Sequence, residues 1–502
     1  MESFSSGNEV QSGSTNGTGG NTAIAVPDLK TVRRTVQKHF PSLWAAVEVS
    51  LSACATLLLK DNVNPVTMII VGPPSAGKTT VTNMFEEAQW NGQTLCYRSD
   101  GFTPASFVSH SAKASRGELE KIDLLPKIKN RVLLTPELAP IFRGDQDELT
   151  RRFATLTRVL DGQGLKTDSG THGERGYEGE YVFVWIGATT PFDGQVWKVM
   201  AQLGSRLFFL LLDTGGHSTS KETLDDLIAS HQGISYAVKL QECKSVTGAF
   251  LTALFTHHRG PRQVEWESSH NPQVVLEGIG RFAMLIAQMR TPYEPDSKPE
   301  KEDPKRANSV LYNLACGHAL VHGRTVLTEA DLPMVSQVAL SSLPRQRRAL
   351  WIAFAQQNGK PLTVQQAMTA LKVCRHTAET RMKEMEWLGV ATFTTPGNGQ
   401  ASTLLVHPDW SWFVSGTGRE FVLGTTWQNS GDACEPGTIS PSTSPEREER
   451  RGDAHAPPKN CQVHLLAVGT PSTRARLEWA ALGSEAATSA SRNNDEIQPE
   501  GV

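Results

Sequence analysis

The stretch that decides the fold is Val66-Thr-Met-Ile-Ile-Val71-Gly72-Pro73-Pro74-Ser75-Ala76-Gly77-Lys78-Thr79-Thr80. An apolar run ends in a turn of the form G-x-x-x-x-G-K-[ST], and Thr80 to Glu87 follow as a helix pattern. Strand, glycine-rich loop and helix in this order cradle phosphate groups. Gly72 and Gly77 let the chain turn tightly with backbone N–H groups facing phosphate oxygens. The helix behind adds its positive N-terminal end. Lys78 is expected to reach the β- and γ-phosphates, and the Thr79 hydroxyl to ligate magnesium. Gly72 through Thr80 is therefore the expected cofactor-binding stretch, with ATP and Mg2+ as the implied ligands. A plain Gly/Pro turn is the alternative, but it leaves the matching flanks unexplained.

The chain has 502 residues, room for two to four domains, and a formal charge of −3. That balance excludes a global basic field, so any nucleic-acid binding must come from local patches. Seven scattered cysteines without C-x-x-C pairs argue against both a disulfide framework and a zinc site. There is no basic-then-apolar signal pattern at the N-terminus, and no apolar run is read as long enough to cross a bilayer. The expectation is a cytoplasmic protein with no membrane partner.

Residues 1–28, rich in Ser, Gly, Asn and Thr, read as a disordered tail. A helical lead-in follows, capped by Asp28. The strand candidates are Val66–Val71, Thr94–Arg98, Arg131–Thr135, Tyr181–Ala188 and Arg206–Asp213, with helical or loop material between. Such alternation implies an α/β fold with a five-stranded parallel sheet. Asp145–Leu160 reads as a helix. The expected division is a nucleotide-binding core over 29–220, a helical lid over 221–340, a further small domain over 341–416, and a mostly disordered tail over 417–502. Lid helices are expected at Leu224–Ala229, Ala237–Phe255, Gln273–Met289, Ala307–His322 and Glu329–Leu340, and a short helix at Arg474–Leu482. His318 is expected to be a core residue on the apolar stripe of its helix rather than a ligand.

Further residues gather around the loop in sequence order. The third strand ends in Leu133-Leu-Thr-Pro-Glu137, an acid placed to hold magnesium through water and to orient an attacking water. The usual pattern has Asp-Glu; here Glu137 precedes Leu138, and the plain alternative is a residue that begins a helix. The fourth strand ends in Gly187-Ala-Thr-Thr190, where Thr190, or alternatively Thr189, can orient water. Gly162 to Gly179, rich in Gly and polar residues, suggests either a projecting hairpin carrying Lys166, His172 and Arg175 or a solvated loop. Arg206, at the entry to the fifth strand, is a candidate finger for a neighbouring subunit's γ-phosphate, the plain alternative being an Arg paired to a local carboxylate.

Phosphate loop, lone acid, hairpin ahead of Gly-Ala-Thr-Thr, and Ser205-Arg-Leu-Phe208 together resemble the AAA+ ATPases. The hairpin's position is similar to the branch that holds the minichromosome-maintenance helicases and the MoxR-like ATPases. Lys305 to Arg324 with Thr328-Glu-Ala-Asp331 resembles the sensor-two helix of those proteins, which implies that Arg306 touches the γ-phosphate from the lid. Asp123 to Glu137 is similar to ATPases of phages and integrative elements. The resemblance spans about 66–340. It implies ATP hydrolysis with Glu137, Thr190, Arg206 and Arg306 as catalytic groups, Thr79 and Glu137 at the metal, and a homo-oligomeric ring.

Residues 341–416 look like a winged helix: three helices, then two strands around Pro396-Gly-Asn-Gly399. Arg375, His376, Glu379 and Lys383 lie on one side of the third helix, where they would enter a major groove. With the hairpin cations, Arg375, His376 and Lys383 are the DNA-contacting candidates. The expected function is an oligomeric ATP-driven motor or switch on DNA. The alternatives are a MoxR-like protein remodeller, favoured by the acidic residues of that helix, or a nucleotide-gated DNA-binding regulator with slow hydrolysis.

Overall fold

Five of the apolar runs form one sheet. The computed structural model describes residues 28–424 except 110–115, 170–172, 193, 205, 213–223, 225–226, 229–232, 396 and 398–400. Its central strands are Val66–Val71 (β1), Cys96–Arg98 (β2), Val132–Thr135 (β3), Val184–Thr189 (β4) and Phe208–Leu211 (β5). They lie in the order β2-β3-β4-β1-β5, and every neighbouring pair is parallel. Most strands are shorter at the start than the apolar runs suggest. Thr94, for one, pairs with Gln89 in a separate antiparallel ribbon, and the amide of Tyr181 donates to the Gly162 carbonyl. The helix expected at Leu224–Ala229, the turn at Pro396–Gly399, the segment at Arg474–Leu482 and both tails lie wholly or largely outside the described residues.

Parallel strands buried on both faces read as continuous apolar runs. Alternation sends Met68 and Ile70 of β1 into one core, and Ile69 and Val71 into another. The second core is covered by helices Gln146–Val159 and Gly194–Leu203, the former capped by Asp145, whose carboxylate accepts from Glu148 N at 2.8 Å. The first core is larger and continuous from Val32 to Val422.

The helices Leu29–His39 (α1) and Trp44–Ala55 (α2) belong to that first core. Apart from Ala45, every residue of α2 is buried, as a helix apolar all round must be. The 18 residues Pro41–Leu58 are long and apolar enough to cross a membrane, contrary to expectation, yet most of them are buried within the protein. α2 packs on both β1 and helix Lys305–Val321. At Gly317 the two helices meet backbone to backbone: a Cβ there would lie 2.1 Å from the Ser52 carbonyl oxygen.

The edge strand β5 is covered without another strand. Arg290 donates to the carbonyls of Leu207 (2.9 Å) and Ser342 (2.8 Å), and Phe209 N donates to Ser342 Oγ (2.9 Å). Burial pushes the Arg290 guanidinium down to about 10 against the pull of Glu302. Such cover protects an edge that would otherwise template further pairing.

After helix Leu332–Ser341 come helices Arg345–Gln356, Val364–Leu371 and Arg375–Trp387. With them goes an antiparallel sheet of three strands, one more than expected: in spatial order Leu362–Thr363, which lies between the first two helices, then Thr403–Val406 and Ala391–Thr394, which follow the third. Thr363 ends its strand and caps the next helix in a reciprocal box with Gln366. Buried Arg347 binds Glu384 and the carbonyls of Met289 and Thr291, which fastens this part to helix Gln273–Arg290.

The folded chain continues past residue 416, where the sequence was read as tail. Helix Gly416–Leu423 buries Phe421 and Val422, and Phe421 lies edge-on to Phe282 at 6.5 Å. Composition hid it, because two apolar residues within a Ser/Gly/Glu-rich stretch carry the packing.

Two variants check this packing by thermal denaturation. Phe421→Ala is expected to cost about 3 kcal/mol, the usual loss for a large core ring. Gly317→Val is expected to cost about 3 kcal/mol or more, because the added carbons meet backbone rather than a movable side chain.

Candidate functional site

The site lies at the carboxyl ends of the strands. β1 is flanked by β4 and β5, neither next to it in sequence. Such a switch in strand order opens a crevice at the strand tips. Gly72 N donates to Thr189 O (3.3 Å), and Ala76 N donates to Pro73 O (3.3 Å). Ser75 (φ 64°) and Gly77 (φ 82°) both take left-handed backbone, which turns the amides of the loop. A Cβ on Gly77 would meet Leu43 at 2.9 Å, so the residue just before α2 packs against the loop. Helix Lys78–Asn83 (α3) starts directly behind. Pro73, Pro74, Ser75 and Thr79 are exposed, whereas Lys78 and Thr80 are buried. The Thr80 hydroxyl pairs with Tyr236 OH at 2.9 Å.

Lys78 Nζ donates to the Pro73 carbonyl at 2.7 Å, so the ammonium is turned into the loop. Burial pushes its pKa below the usual lysine range, and the negative charge of Glu137 pulls the other way. Glu137 follows the tip of β3 and is exposed. Its Oε1 accepts from Ala139 N (2.8 Å) and caps the turn Ala139–Phe142. The residue stands ahead of the turn and its N-cap Leu138, not at the N1–N3 positions of the plain alternative, and it lies within the field of Lys78. Its place is fixed by Leu138, whose amide donates to Ala188 O (2.7 Å) and whose side chain lies over Gly187. A Cβ at Gly187 would fall 2.1 Å from Leu138 Cδ1. Sequence reasoning missed this role; a glycine inside an otherwise apolar strand was the available signal.

Thr189 closes β4 opposite Val71, and its hydroxyl donates to the Thr190 carbonyl at 3.1 Å. Thr189 is thus committed to backbone, and Thr190 is the half-buried residue at the strand exit. The residues fit the implied ligands. The left-handed turn and the buried ammonium suit a polyphosphate, and the exposed oxygen donors Thr79 and Glu137 suit magnesium, a hard cation.

Arg206 and Arg306 lie elsewhere. Arg206 Nε and Nη2 are each 3.0 Å from Asp161 Oδ1, and Arg306 Nη1 is 2.8 Å from the same atom. Arg306 Nη2 also donates to Leu160 O at 2.6 Å. Asp161 precedes Gly162, which abuts Val63 and Pro65 ahead of β1, whereas the loop follows β1. The length of that strand, about 20 Å, separates the two arginines from the chain's own loop. Arg306 therefore does not reach the chain's own phosphate site as expected. Motif spacing along a helix carries no information about the end of the sheet on which that helix docks.

The hairpin exists, with Gly164–Ser169 antiparallel to Gly173–Glu178. It is not a free basic patch: Lys166 Nζ lies between Glu174 (2.9 Å) and Glu178 (2.6 Å). Arg175 is half-buried, and His172 lies outside the described residues. On helix Arg375–Trp387, Arg375 pairs with Glu379 (2.8 Å), Lys383 lies 6.0 Å above the Phe393 ring, and His376 is exposed.

No protein-family model matches the sequence, and no curated protein matches it significantly.

Gly187→Val is expected to displace Leu138 and with it Glu137. On the expectation that the loop binds nucleotide and Glu137 positions water, nucleotide affinity should stay within about threefold, while turnover falls about 10²-fold or more, the scale for losing a positioned base. Parallel calorimetry and phosphate-release assays check the split.

Proposed function

We propose that this chain binds and hydrolyses ATP as an AAA+-like protein that works as an oligomer on DNA. The observation that carries the reading is the loop Gly72–Thr80 at the strand-order switch, with buried Lys78 facing the charge of Glu137. In this reading Lys78 and the loop amides bind the phosphates, and Glu137 orients the attacking water with Thr190 beside it. Thr79 and Glu137 would hold magnesium, which would supply charge neutralisation on the phosphates. Arg206 and Arg306, together at the far end of the sheet, serve the nucleotide of a neighbouring subunit. The part from Arg345 to Val406 is a winged helix that anchors the substrate, with helix Arg375–Trp387 as the reading helix.

A second reading, remodelling of a protein partner, is favoured by one observation. The candidate DNA-contacting cations Lys166 and Arg375 already pair with carboxylates.

Magnesium–ATP calorimetry on the full chain should show saturable binding that Lys78→Ala abolishes. Glu137→Gln should keep binding and lose about 10²–10⁴ in turnover. Stimulation of phosphate release by single- or double-stranded DNA supports the DNA reading, and its absence at all salt concentrations favours the protein reading. No binding heat in the wild type, or equal heat in Lys78→Ala, sinks both.

A further inference from the structure

Three side chains that the nucleotide reading leaves unused meet between two helices. Glu48 stands on α2; His318 and His322 stand four residues apart at the end of helix Lys305–Val321. One donor atom from each lies within 4.8 Å of the others. Glu48 Oε1 is 3.1 Å from His322 Nε2 and 3.8 Å from His318 Nε2. The two imidazole centroids are 4.4 Å apart. Glu48 and His318 are buried, and the His322 side chain is 34% exposed, so the cluster opens to solvent on one side.

Three observations point to a cation at the centre of the cluster. The i, i+4 spacing puts both imidazoles on one helix face, the arrangement by which helices present paired histidines to zinc. Fully buried Asp331 accepts from His318 Nδ1 at 2.6 Å, and Arg324 grips the same carboxylate at 2.9 and 2.6 Å. A carboxylate on one imidazole nitrogen fixes the tautomer and turns the other nitrogen's lone pair outward, here toward Glu48, as behind zinc-binding histidines. Finally, the 3.8 Å between His318 Nε2 and Glu48 is too long for a hydrogen bond. It is close to the roughly 3.3 Å that separates two donors on one tetrahedral zinc with bonds of about 2.0 Å.

We propose that Glu48, His318 and His322 form a zinc site, with two imidazole nitrogens, one carboxylate oxygen and a fourth position open to solvent beside His322. Two nitrogen donors select zinc-like ions over magnesium or calcium, which take oxygen ligands. The metal ties α2 to helix Lys305–Val321. Since Leu43, just ahead of α2, packs on Gly77, the tie also steadies the phosphate loop.

The test uses untagged full-length protein, stripped with a chelator and dialysed. Zn2+ is then titrated in competition with a chromophoric chelator. One zinc per chain is expected, and His322→Ala and Glu48→Gln should each weaken it about tenfold or more. Zn2+ should raise the Tm of the wild type and leave that of His322→Ala unmoved. Co2+ should give visible d–d bands without a thiolate charge-transfer band. Lys78→Ala should bind zinc like the wild type, which separates this site from the nucleotide reading. His322 is partly exposed, and circular dichroism confirms that its variant folds. No stoichiometric zinc, unchanged affinity in both ligand variants, or a strong thiolate band implicating Cys316 would overturn the proposal.

Discussion

The structure depends on the contact between the backbones of Gly317 and Ser52. A helix pair this close excludes any side chain between its axes, so the side chains flanking the contact set the fit. Polar groups meet where helix Lys305–Val321 packs on α2 and on the turn that follows it. There Asn313 donates to Asn62 Oδ1 at 2.9 Å, and Glu48 meets the two histidines. Buried polar groups of this kind hold only when each finds a partner. The contact therefore specifies one register for α2. Because Leu43 leads into α2 and packs on Gly77, that register also sets the wall of the loop Gly72–Lys78.

A second tie acts at the other side of the sheet. Arg290 and Ser342 complete the edge of β5, and Arg347 binds the end of the same helix to Glu384. Both guanidiniums are buried and accept the cost of desolvation because backbone carbonyls satisfy them. One core then runs from Val32 to Val422. A change at the strand tips can travel through this packing as small rigid shifts, without a loose hinge inside the core.

Much of this was legible in the sequence. β-branched runs and a glycine-rich turn are local signals, so the sheet and its loop could be read residue by residue. Asp28 announced a helix start for the same reason: a cap is a bond between near neighbours. What could not be read depends on distant partners. His318 is buried, as its apolar neighbours on the helix imply, but its partners Asp331 and Glu48 come from other parts of the chain. Arg306 carried a familiar spacing, but the docking of its helix places it at Asp161. Lys166 looked free until the hairpin register set Glu174 and Glu178 beside it. Gly187 is the converse: a small residue whose meaning lies in Leu138, fifty residues away in sequence but stacked on it in space.

The buried charges themselves distinguish structure from site. Asp331 is engaged by Arg324, His318 and the Thr328 amide, and burial, which would raise its carboxyl, is outweighed so that it stays at about 2. Arg347 and Glu384 likewise satisfy each other. Lys78 is different. It is 7% exposed, and among the described residues its three donors make one hydrogen bond, to Pro73. Glu137 acts on it only through its field, and burial still wins. A buried ammonium with so little compensation lowers stability. A sequence that gives buried Asp331, Arg347 and Glu384 their partners accepts such a group where an anion from outside completes the coordination. That local cost, more than the motif, is the physical reason to place the chemistry at the tip of β1.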